Sequence, residues 1–128
     1  MRKHILLIDD NPIQLRTMKE LLKENYDVSM ALSVAESLEI IVKNKPDLIF
    51  LDYNMPNMNG KEALEKMKNI EFCNDIPVVF LTGVDDAKNI KEVLELRPAG
   101  YLLKPASIKR INDILDRLLG PVQKRSIY

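Results

Sequence analysis

Ile5-Leu6-Leu7-Ile8-Asp9-Asp10 decides how this chain is read. Four consecutive branched apolar residues ending in two carboxylates predict a strand buried on both faces. A half-exposed strand would alternate polar and apolar instead. The pattern recurs at Leu48-Ile49-Phe50-Leu51-Asp52 and at Val78-Val79-Phe80-Leu81-Thr82. Two weaker stretches, Asp27-Val28-Ser29-Met30-Ala31 and Tyr101-Leu102-Leu103, read as strands too. The first alternates, as a less buried edge strand does.

Helical periodicity fills the gaps. Leu15, Met18, Leu21 and Leu22 form one stripe, with Pro12 where a first turn tolerates it. Val34, Leu38, Ile41 and Val42 form a second, opened by a candidate capping box of Ser33 and Glu36. Ala63, Leu64 and Met67 follow Gly60, and Ile90, Val93 and Leu94 follow Asp85-Asp86. Ile108, Ile111, Leu115 and Leu118 follow Ser107, a candidate N-cap. Pro98 should end the fourth helix early. Strand and helix thus alternate five times, which predicts an α/β, doubly wound (βα)5 fold with a five-stranded parallel sheet. Three fully buried strands and two weaker ones suit the order 2-1-3-4-5, with the second and fifth strands at the edges.

The chain has 128 residues, 19 Lys+Arg against 19 Asp+Glu, 46% hydrophobic and 30% charged residues, one His and one Cys. That is one domain of ordinary globular composition. Zero net charge gives no general attraction to nucleic acid or an anionic membrane. One Cys makes neither an internal disulfide nor a multi-cysteine zinc site. Apolar runs of four residues fall far short of the ~20 that span a bilayer, so a cytoplasmic protein is expected. Neither G-x-G-x-x-G nor G-x-x-x-x-G-K-[ST] is present. Asn57-Met58-Asn59-Gly60 mimics part of a calcium loop, but the required Glu falls on Lys66.

Open parallel sheets bind ligands outside the carboxyl ends of their strands. There this sequence places Asp9 and Asp10, Asp52, Thr82, and Lys104-Pro105. Three carboxylates held together repel unless a cation joins them, and Mg2+ suits an all-oxygen set with few protein ligands. An ammonium and a hydroxyl beside them complete an apparatus for receiving a phosphoryl group on a carboxylate.

These residues in this order, with Asp52-Tyr53-Asn54-Met55-Pro56 and Gly60, resemble the receiver domain of two-component response regulators, over roughly Lys3 to Leu119. The resemblance implies a flavodoxin-like, CheY-like fold, with residues 1–120 as the receiver domain and 121–128 as a tail or the start of a linker. It implies that Asp52 is the phosphoacceptor and that a sensor histidine kinase or phosphotransfer protein presents phosphohistidine to it. Asp10, Asp52 and the carbonyl of Asn54 would hold Mg2+, or Mn2+ in its place, while Asp9 acts through water or on Lys104. Thr82 and Lys104 would contact the phosphoryl oxygens. Tyr101 matches the aromatic switch position, and the Lys104–Pro105 bond one that is usually cis in the family. Asn54 and Val84 match positions that help set the lifetime of the phospho-aspartate.

The resemblance further implies a switch acting through the fourth helix, fifth strand and fifth helix, with autocatalytic chemistry and no turnover. The sequence is silent on the output, which is a downstream protein if the chain stands alone or a further domain if it was cut from a longer one. Lys109, Arg110, Arg117, Asp113 and Asp116 give the fifth helix a mixed-charge surface suited to dimerisation or docking. Two alternatives carry their own marks. A pseudo-receiver would have lost the acidic set and Lys104. An aspartyl phosphohydrolase needs an acid two residues after its nucleophile, where this chain has Asn54. His4 reads as a strand-start residue and Cys73 as structural.

Overall fold

The computed structural model describes residues 2–55, 60–70, 73–83, 91–92 and 94–122, with the side chains of 60 and 61 excepted. The strands are β1 (His4–Ile8), β2 (Asp27–Ala31), β3 (Leu48–Asp52), β4 (Val78–Gly83) and β5 (Gly100–Lys104). They form one parallel sheet in the order β2-β1-β3-β4-β5, as expected. The helices α1 (Pro12–Leu22), α2 (Val34–Lys43) and α3 (Gly60–Lys68) lie in the first three crossovers, and a C-terminal helix (Ile108–Leu119) follows β5. Of the predicted fourth helix, Lys91, Glu92, Leu94 and Glu95 are helical, while Ile90 and Val93 lie outside the described residues.

Alternation along the strands divides the core into two layers. Ile5, Leu7, Leu48, Phe50, Val79, Leu81 and Leu102 pack with Leu15 and Leu22 of α1 and Ile111, Ile114 and Leu115 of the C-terminal helix. Leu6, Ile8, Ile49, Leu51, Val78 and Phe80 pack on the other face with Val34 and Ile41 of α2 and Ala63, Leu64 and Met67 of α3. Every residue of β1 and β3 is buried, whereas the edge strands β2 and β5 are mostly half-buried.

Local signals set the helix ends. Asn11 caps α1, its side chain accepting from the N–H groups of Ile13 and Gln14, with Pro12 in the first turn. Ser33 caps α2 by accepting from Glu36 N–H at 3.1 Å. Glu36 reaches back to Leu32 N–H at 3.4 Å, one residue before the expected capping-box partner. Ser107 caps the C-terminal helix on Arg110 N–H, and Gly120 follows it at φ 84. Arg97 at φ 52 lies between the helical residues and Pro98. Gly100 starts β5 where a Cβ would crowd Ile114 Cδ1, at the tip of a side chain from the C-terminal helix.

Four positions of the predicted apolar stripes are corrected. Leu21, Val42, Leu94 and Ile108 are exposed, Val42 at 70%. Each lies at the margin of its stripe, where 100° per residue carries a side chain past the area the sheet covers.

Candidate functional site

The sheet itself delivers the carboxylates. Asp9 N–H donates to Ala31 O at 3.1 Å, continuing the β1–β2 ladder one residue past β1. Asp52 ends β3 opposite Leu81, and Tyr53 N–H continues that ladder to Leu81 O at 2.9 Å. Both carboxylates are 4% exposed, while Asp10 is exposed. One carboxylate oxygen from each of Asp9, Asp10 and Asp52 lies within 4.8 Å of the other two. At an effective dielectric of 20, like charges that close repel by on the order of 3 kcal/mol per pair.

Lys104, from the last position of the edge strand, reaches across β4 to this cluster. Its Nζ donates to Asp52 Oδ1 at 2.8 Å and to Gln14 Oε1 at 2.9 Å, and lies 3.7 Å from Asp9 Oδ2. Backbone amides add partial positive charge. Asn11 N–H donates to Asp9 Oδ1 at 2.9 Å, and Asn54 N–H to Asp52 Oδ1 at 3.4 Å. One ammonium does not offset three carboxylates. Burial pushes the Asp9 carboxyl up from 3.8 to about 6, against the lowering by Asn11 N–H; the charge of Asp52 raises it further, Lys104 opposes, and a hydrogen bond shared with Asp10 raises it again.

Thr82, next to last in β4, has no exposed surface, and its hydroxyl oxygen has no hydrogen-bond partner among the described residues. A buried hydroxyl without a partner costs stability, so a group arriving within reach of it would find a donor waiting. Tyr101 is half-buried in β5 and packs against the α2–α3 layer. The Lys104–Pro105 bond is cis. Asn54 is exposed, two residues beyond Asp52, and Val84, Pro56 and Asn57 to Asn59 lie outside the described residues. His4 is buried at the opposite end of β1, with Nε2 2.7 Å from Ser29 Oγ, and Cys73 is buried with its thiol pushed up by burial.

The structure therefore brings Asp9, Asp10, Asp52 and Lys104 together at one sheet edge, with Thr82 on the strand between Asp52 and Lys104. It adds Asn11 and Gln14, which the sequence reading missed. Their signal is Asn11-Pro12-Ile13-Gln14, an N-cap followed three residues later by an amide side chain. It also adds Tyr53, whose ring meets Phe80 edge-on at 5.4 Å and whose hydroxyl donates to Glu92 Oε2 at 3.0 Å. Burial first, then the Glu92 bond, pushes that phenol up to about 12. An all-oxygen cluster with an excess of negative charge fits a hard divalent cation.

The response regulator receiver domain family matches residues 5–116. A probable cyclic di-GMP phosphodiesterase of Vibrio cholerae is 36% identical over 95% of this chain, which spans 32% of that protein's length. Sporulation initiation phosphotransferase F of Bacillus subtilis is 32% identical over 93% of this chain and 95% of its own. The structure of the Vibrio cholerae chemotaxis protein CheY4 superimposes with a TM-score of 0.83 at 25% identity, covering 93% of this chain and all of the other.

Proposed function

This chain belongs to the response regulator receiver domain family, and from that premise we propose that Asp52 accepts a phosphoryl group from a phosphohistidine. The observation that carries the reading is the buried Asp52 carboxylate, 2.8 Å from the Lys104 ammonium and inside a cluster of three carboxylates. A sensor histidine kinase or a phosphotransfer protein presents the donor. A carboxylate oxygen of Asp52 attacks phosphorus, an O–P bond forms as the N–P bond breaks, and the imidazole leaves, taking its proton from solvent. Lys104 already faces Asp52 and offsets charge on the transferred oxygens without a large movement. The Thr82 hydroxyl gains, in a phosphoryl oxygen, the acceptor it lacks.

Asp10, Asp52 and the Asn54 carbonyl would hold Mg2+, or Mn2+ in its place, with Asp9 acting through water and on Lys104. Bound there, the cation supplies neutralising charge to the phosphoryl oxygens. Water then removes the phosphoryl group slowly. The product is a signalling state, so the domain is a switch with autocatalytic chemistry and not a turnover enzyme. Thr82 and Tyr101 relay the change to the face formed by Lys91, Glu92, Leu94 and Glu95, β5 and the C-terminal helix, which engages a downstream protein, a further domain or a second copy. Residues 1–120 form the receiver domain, with 121–128 as a tail or linker. No helix among the described residues is long and apolar enough to cross a membrane, and the proposed setting is the cytoplasm.

Intact-mass measurement after incubation with acetyl phosphate and Mg2+ tests the reading. One added phosphoryl mass that requires Mg2+ and is absent from Asp52→Asn is expected. An unchanged mass with both acetyl phosphate and a phosphorylated phosphotransfer protein would leave only a pseudo-receiver, a binding module of the same fold.

A further inference from the structure

Gln14 stands where a capping box would send its side chain back to the N–H of the cap residue Asn11. That N–H is already taken by Asp9 Oδ1 at 2.9 Å. The Gln14 side chain instead points to the site, where its Oε1 accepts from Lys104 Nζ at 2.9 Å. We propose that Gln14 is a positioning residue for phosphoryl acceptance: a neutral anchor that holds the Lys104 ammonium over Asp52 without consuming its charge. The inference rests on the receiver reading above and adds to it a residue outside the acidic set.

The geometry supports the role from both sides. Lys104 is a flexible four-carbon stem at the end of an edge strand, and its ammonium has three hydrogens. Asp52 Oδ1 at 2.8 Å takes one and Gln14 takes another. Asp9 Oδ2 lies 3.7 Å from the Nζ, beyond a good hydrogen bond, which leaves the third for an incoming oxygen. Gln14 can act as an anchor because its own backbone is fixed: Asn11 Oδ1 accepts its N–H, and Pro12 sets the first turn. Neutrality matters as much as position. A carboxylate here would be a fourth negative group facing an anionic donor, and would pair with the one ammonium meant for that donor.

The test uses wild type, Gln14→Met and Gln14→Glu, with acetyl phosphate as a small donor so that protein docking does not enter. Phosphorylation rates are followed by intact mass at saturating Mg2+ across donor concentration. In Gln14→Met, which keeps length and loses the acceptor, the rate at saturating donor should fall about three- to tenfold. In Gln14→Glu the half-saturating donor concentration should rise roughly threefold or more. A residue that only caps α1 would be rescued by Glu, since either side chain completes a capping box. The Lys104 ammonium signal in 15N NMR gives a readout that needs no phosphorylation: protection from solvent exchange in wild type, lost in Gln14→Met. Wild-type kinetics in both variants, or an unchanged ammonium signal in Gln14→Met, would overturn the inference. A wild type that accepts no phosphoryl group overturns the receiver reading, and the inference with it.

Discussion

Asp9→Asn should make the cation-free protein more stable near pH 7. Asp9 is 4% exposed, and its carboxyl ionises at about 6 in place of 3.8, because of burial first and the neighbouring Asp52 charge after it. The unfolded chain releases this proton near 3.8, so between the two values the folded state holds more protons. A raised carboxyl pKa therefore contributes stability that is complete below 3.8 and is lost as pH rises through about 6. The interval is worth at most about 3 kcal/mol. Solvent reaches the mouth of the site, where Asp10 is exposed and the Lys104 side chain is 26% exposed. Screening there reduces the expected effect to about 1–2 kcal/mol. Asn keeps the shape, and its Oδ1 can still accept from Asn11 N–H, so the substitution removes mainly the charge. Urea unfolding of both proteins with a chelator present, from about pH 4.5 to about pH 8, measures it. The variant's advantage should open as pH rises and level off above about pH 7. Millimolar Mg2+ should close or reverse it, because the wild type gains binding free energy that the variant has weakened. A gap that stays flat across this range, or a wild type more stable than the variant at pH 7 without cation, would refute the reasoning.

Three other outcomes follow from named contacts. Thr82→Val removes a buried hydroxyl that has no partner among the described residues and should stabilise the unphosphorylated protein by about 1 kcal/mol in urea unfolding. The same variant should reach a lower phosphorylated fraction by intact mass. Gly100→Ala should cost about 1 kcal/mol or less, because the added Cβ crowds Ile114 Cδ1, the free end of a side chain that can turn aside. Ile114→Val, which deletes that methyl, should recover part of the loss in a double-mutant cycle. Tyr53→Phe keeps the edge-on contact with Phe80 and loses the bond to Glu92, for about 1–2 kcal/mol by denaturant midpoint.

Strands were the most legible part of this sequence. Leu6 and Phe50 face opposite layers of the core, yet both had to be apolar, so burial on both faces wrote itself as an unbroken run. The sheet order followed from which runs were fully apolar. Helix starts were legible at Pro12, Ser33 and Ser107, because caps act within three residues. Convergence of Asp9, Asp10, Asp52 and Lys104 could be read as well, because parallel strands all end on the same edge of the sheet.

Which residues those groups actually touch belongs to the tertiary structure. Gln14 meets Lys104 across 90 positions, and Tyr53 meets Glu92 across 39. Neither pair leaves a periodic trace, because a single side-chain contact imposes no pattern on its neighbours. The exposure of Val42 and Ile108 was equally hidden: a helix's own periodicity defines an apolar stripe, but only the sheet beneath decides how wide a stripe it covers. The raised ionisation of Asp9 and the unpartnered hydroxyl of Thr82 arise the same way. Sequence chose the groups and the strand ends that carry them. Burial and separation, which set the strength of charge and hydrogen bonding, exist only once the chain has folded.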